Sequence, residues 1–172
     1  MKTEIEKAIA VLVGRALWTC RRAADMAMFH FGDRSDTDTI HGTPAEVGEI
    51  ALHVQCAWRI ARENEVVVGR QDLYYPADYE NEREDIPKDF DWDRDPNRHD
   101  KLLRVLFEDG ARKFVVQKVE VGEAGRLHIE LSDSLSLDVL PFNSLPGEHW
   151  RLFSPVKEDQ RHFVVTGRGI ES

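Results

Sequence analysis

Hydrophobic residues recur along this chain with two different periods. Ile5, Ala8, Ile9, Leu12, Val13 and Ala16 fall at helical spacing behind Thr3-Glu4-Ile5-Glu6, which has the form of a capping box. The spacing predicts one amphipathic helix from Glu4 to Val13, ending near Gly14, with an apolar stripe suited to covering a sheet face. From Met26 the period changes to two. Met26, Met28 and His30 alternate with Ala27, Phe29 and Phe31 before the turn-forming Gly32-Asp33, and the polar stretch from Arg34 to Pro44 reads as a loop. The most sustained alternation runs from Glu49 to Arg59. There Ile50, Leu52, Val54, Cys56 and Trp58 oppose Ala51, His53, Gln55, Ala57 and Arg59, predicting one strand. Val66-Val67-Val68 predicts a short strand closed by Gly69.

The second half is richer in strands. Phe114 to Val121, Arg126 to Leu131, Leu135 to Leu140, Glu148 to Phe153 and His162 to Thr166 all read as strands, separated by short turn-rich links. Such links suit an antiparallel meander, because parallel crossovers need a dozen or more residues. Leu102, Leu103, Leu106 and Phe107 predict a short helix over 101–108, capped by Asp95 or Asn97 and ended by Asp109-Gly110. The fold class that follows is α+β: an N-terminal helix and a short middle helix packed on a curved, mostly antiparallel sheet or split barrel. Trp58-Arg59-Ile60 ahead of Val66-Val67-Val68-Gly69-Arg70 is echoed by Trp150-Arg151-Leu152 ahead of Val164-Val165-Thr166-Gly167-Arg168. The echo suggests two related β-units.

Length and composition fit one domain. The 172 residues are 41% hydrophobic, and 32 acidic against 23 basic residues give a net charge of −9. That balance argues against a nucleic-acid binder, whose affinity rests on basic residues neutralising phosphates, and against adhesion to anionic membranes. No apolar run approaches the roughly 18–20 residues of a membrane span, and the first residues lack the apolar centre of a signal peptide. Cys20 and Cys56 are too few for a disulfide framework and read as reduced thiols in apolar company, which places the chain in the cytoplasm.

The charge is local. Residues 76–100 hold ten acids and four bases, so this insert carries −6 and the other 147 residues only −3. Long charged loops of this kind are uncommon in compact domains. Its tail alternates carboxylates with rings: Asp89, Phe90, Asp91, Trp92, Asp93, then Asp95. On an extended backbone the carboxylates would face one way and the rings the other. Three readings stand: a solvated loop anchored by Phe90 and Trp92, a docking surface for a basic protein partner, and a calcium loop. The docking reading has carboxylates steering a basic patch while an aromatic supplies the buried anchor. Against calcium, Arg94 stands where the tight turn needs Gly, and Asp100 stands where a bidentate Glu belongs.

Catalytic signatures are absent. The histidines are scattered singly, and neither a Cys-x-x-Cys pair, a nucleophile elbow nor a phosphate-binding glycine loop occurs. No cofactor and no resident metal are expected. An alternative small-ligand or enzymatic site would need at least two of the strand residues His53, His128 and His149 to converge on a pocket. An aromatic pocket would need Trp18, Trp58 and Trp150 to meet Arg59 and Arg151.

Leu17-Trp18, Arg22-Ala23, Phe29-x-Phe31-Gly32 and the run Leu52 to Ile60 resemble small uncharacterised bacterial proteins. Gly125 to Leu131, Leu135 to Val139 and Glu148 to Leu152 are similar to β-rich immunity-type domains of polymorphic toxin loci. The resemblance implies a β-sheet fold and an inhibitory protein-binding role. It supplies no catalytic residue.

Overall fold

Apolar spacing places the two helices on the sheet. In the computed structural model, which describes residues 1–38, 42, 44–81, 85–157 and 162–171, α1 spans Lys2–Ile9 and tightens into a 3₁₀ turn at Ala10–Leu12. Ile5, Ile9 and Leu12 form its buried stripe. The expected capping box does not form. The helix starts two residues early, with Met1 at its N-cap and Thr3 already inside, and no side chain caps its first turn. Helix α2, Arg98–Phe107, starts three residues before the predicted boundary. Asn97 is its cap, the side-chain oxygen accepting from the Asp100 amide at 2.8 Å. Glu108, in a left-handed conformation, ends it.

Eleven strands follow in chain order: β1 Ala16–Ala23, β2 Met26–Asp38, β3 Pro44–Val54, β4 Ala57–Arg62, β5 Glu65–Gly69, β6 Phe114–Val121, β7 Leu127–Leu131, β8 Leu135–Leu140, β9 Glu148–Phe153, β10 Phe163–Thr166 and β11 Gly169–Glu171. They make one antiparallel sheet that does not close, ordered β11-β10-β9-β3-β2-β1-β6-β7-β8-β4-β5. The α+β class is therefore right, and the sheet is open rather than a barrel.

Two strand expectations need correction. The run from Glu49 to Arg59 is not one strand. It breaks at Gln55 and Cys56, whose amides both donate to the His149 carbonyl (2.8 and 3.2 Å), and β4 departs to pair with β8. The alternation survives because a two-residue link preserves parity, so Leu52, Val54, Cys56, Trp58 and Ile60 all remain buried. Nor is the stretch from Arg34 to Pro44 simply a loop. After a bulge at Gly32-Asp33, β2 continues to Asp38 and pairs with β3 from Arg34↔Gly48 to Asp38↔Pro44. This arm is largely polar, so no alternation announces it.

The registers reveal a topological two-fold. Each helix is followed by a three-stranded meander: α1 by β1-β2-β3 and α2 by β6-β7-β8. The two meanders meet where β1 and β6 pair, Ala16↔Val115. Cys20↔Phe29 in the first corresponds to Val119↔Ile129 in the second, and both carry a bulge at the same place, Leu17/Thr19 and Val116/Lys118. The hairpins are exchanged. β4-β5 adds to β8 of the second meander, while β9-β10 adds to β3 of the first. Trp58↔Val139 then matches Trp150↔Val54, and Ile60↔Leu137 matches Leu152↔Leu52. The Trp-Arg echo is thus positional. The valine-rich echo is not, because Gly69 opposes Arg59 whereas Val164 opposes Arg151.

Candidate functional site

The acidic insert leaves the domain between β5 and α2 and is closed at its neck. Pro76 bridges Asn97, the Ala77 amide donates to the Pro96 carbonyl at 2.9 Å, and the Arg98 amide donates to Tyr75 at 2.8 Å. A short 3₁₀ segment, Arg70–Tyr74, leads into it. At its far end the chain turns instead of extending. The Asp95 amide donates to the Asp91 carbonyl at 2.7 Å, the Asp95 carboxylate takes the Asp91 amide at 2.8 Å, and the Asp91 carboxylate takes the Asp93 amide at 3.1 Å. The expected division into a carboxylate face and a ring face is therefore replaced by a turn. Short polar side chains compete well for nearby amides, and aspartates at two- and four-residue spacing favour such turns.

This geometry sorts the six predicted residues. Trp92 is half-buried, its ring edge-on to Tyr74 at 5.5 Å, and its carbonyl accepts from the Asn97 side chain at 3.1 Å. Asp93 is committed to Arg22, whose guanidinium donates to its carboxylate at 2.8 Å and to its carbonyl at 3.2 Å. Asp91 serves the turn. Asp89, Phe90 and Asp95 come together with Asp78, Pro76 and Pro87 around a cleft of about 310 Å³. Its lining combines Phe90, Ala77 and three prolines with the three aspartates. Asp78 also accepts from Lys101 at 3.1 Å, while Asp89 makes no ion pair among the described residues.

Arg22 is the residue that sequence reasoning missed. It projects from β1 and reaches Asp100 as well as Asp93, with its Nε 3.0 Å from the Asp100 carboxylate. Asp100 also receives the Asn97 side chain at 3.0 Å and lies 2.8 Å from His99 Nδ1. Burial would raise the Asp100 carboxyl, but hydrogen bonds from His99 and Arg22 outweigh it and hold it at about 2. His99 in turn packs edge-on to Trp58 at 5.4 Å, so the insert is tied to the core. An arginine in a strand carries no local signal of a partner 78 residues away.

The histidines and tryptophans of the alternative readings each have their own partners. His53 packs against Phe153 on β9, His128 pairs with Asp138 between β7 and β8, and His149 stacks near Phe142. β2, β1 and β6 separate the strand of His53 from that of His128. The tryptophan pocket is likewise dispersed. Trp58 and Trp150 are core residues, whereas Arg59 binds Asp138 and Arg151 binds Glu148. Trp18 is instead covered by Arg34, 4.4 Å from its ring centre. Both cysteines are free and buried, and burial pushes the Cys56 thiol up to about 12, which leaves no thiolate to react at neutral pH. No helix among the described residues is long and apolar enough to cross a membrane. No family model, curated protein or solved structure matches this chain.

Proposed function

We propose that the chain is a non-catalytic binding module for a basic protein partner, engaged through the insert. The observation that carries this reading is the cleft at Phe90. Asp78, Asp89 and Asp95 line it together with Phe90 and three prolines. Such a cleft suits a lysine or arginine side chain, whose stem packs on apolar surface while its charge meets carboxylates. The clamp of Arg22 on Asp93 and Asp100 supports the reading from a second side, since a pre-ordered segment loses less entropy on binding. The similarity of the second-half strands to immunity-type domains gives the role its specific form: neutralising a basic toxin by covering its working surface.

The test replaces charge without deleting the segment, because removing residues 89–95 would also unseat Arg22. Immobilised wild type and Asp89→Asn/Asp95→Asn are compared in parallel captures from native lysate at low and high salt, with retained proteins identified by mass spectrometry. A basic protein held by wild type at low salt, released by salt and lost by the double variant is expected. Identical captures from the two baits would sink the proposal.

A further inference from the structure

We propose that Glu120, His128 and Glu130 form a site for a divalent transition-metal ion of the zinc type, built on the outer face of β6 and β7. Along both strands the core-facing residues Val121, Leu127, Ile129 and Leu131 are buried, and these three alternate to the other side. Glu120 stands directly opposite His128, and Glu130 follows two positions along β7. One ligand atom from each residue lies within 4.8 Å of the other two, and among the described residues this is the only such group of three histidines, cysteines or acids.

The site is more than a pair of surface carboxylates, because its imidazole is held from behind. His128 Nδ1 lies 2.7 Å from the Asp138 carboxylate on β8, and Arg59 Nε on β4 donates to that same carboxylate at 2.9 Å. The Asp138 side chain is only 15% exposed. With Nδ1 engaged, Nε2 is the nitrogen left to coordinate, and the carboxylate behind the ring fixes its tautomer and orientation. That is the outer support which metal-binding histidines usually have. An imidazole beside two carboxylates selects zinc-like ions over calcium and magnesium, which take oxygen ligands. Three protein ligands leave room for water as a fourth.

Lys118 sets the affinity. Its ammonium lies 2.6 Å from Glu120 and 3.4 Å from Glu130, supplying the positive charge an ion would bring. Binding must displace it. The arrangement is not imposed by the fold. At the two-fold-related positions of β1 and β2 stand Arg21, Met28 and His30, which offer no comparable ligand set.

The test is calorimetric titration of the chelator-stripped full chain with Zn²⁺ near neutral pH, alongside His128→Gln, Glu120→Gln, Asp138→Asn and Lys118→Met. Circular dichroism checks that each variant keeps its sheet. Wild type should bind one ion per chain saturably. Binding should vanish in His128→Gln and Glu120→Gln, weaken about tenfold in Asp138→Asn, and tighten in Lys118→Met. Binding that survives His128→Gln unchanged overturns the proposal, as does Lys118→Met binding no tighter than wild type.

Discussion

His30 shows how a single residue's burial writes itself into the behaviour of the whole fold. It sits in β2 at 4% exposure, its ring 5.7 Å from Trp18, and its Nδ1 accepts the Gly48 amide at 3.2 Å. Burial first, and Arg21 second, lower its pKa from 6.5 to about 4. The unfolded chain therefore binds a proton between pH 6.5 and 4 that the folded chain refuses. Stability from this residue is complete above pH 6.5 and is lost as pH falls towards 4, by roughly 3 kcal/mol in all. Urea unfolding measured across that window should show the decline, and His30→Gln should make it shallower. An unchanged slope in the variant would assign the acid sensitivity elsewhere, with His53, also lowered to about 4 by burial, the next residue to examine. Alternation placed His30 in a strand but gave no hint of its burial. The Gly48 that approaches it pairs with Arg34, at the start of the stretch that reads as a loop.

At the scale of elements, what was legible followed from burial. β8 carries clean alternation on one sheet face, and the limits of β6 and β8 were readable to the residue even though a bulge at Val116/Lys118 breaks the alternation of β6. The run through Cys56 misled because a change of pairing partner that keeps parity leaves the hydrophobic pattern untouched. The insert misled in a subtler way. Its carboxylates looked like free charge, yet Asp91 and Asp95 cap amides of their own turn while Asp93 answers to Arg22. Composition counts charges and cannot say which are already paired. The clamp has a measurable consequence. Arg22→Ala makes the chain more acidic, but it unpins the segment from β1. Amide exchange over residues 89–97 should accelerate by at least about tenfold, while global stability falls by only about 1 kcal/mol, since the pairs are partly solvated. Exchange unchanged in this variant would show that Trp92 and Asn97 hold the segment without it.

For the whole molecule, the exchanged hairpins decide how the chain can come apart. Were each hairpin to add to its own meander, residues up to 75 and residues from 98 onward could form two separate sheets. Instead the partner of β4 is β8, and the partner of β9 is β3, with Ala51 opposite Phe153 about a hundred positions later. Neither half can then complete its own edge. Trp58 and Trp150, equivalent in register, are each buried on a strand that pairs with the opposite meander. Such non-local pairing costs loop-closure entropy before it yields contacts, so folding should be slow and all-or-none. Fragments 1–75 and 98–172, prepared separately, should each lack a cooperative thermal transition by circular dichroism. Mixed at equal concentration, they should regain sheet signal together with the fluorescence shift of buried tryptophan. An isolated fragment that melts cooperatively would mean that one meander is self-sufficient. The exchange would then be an addition to two stable units rather than what joins them.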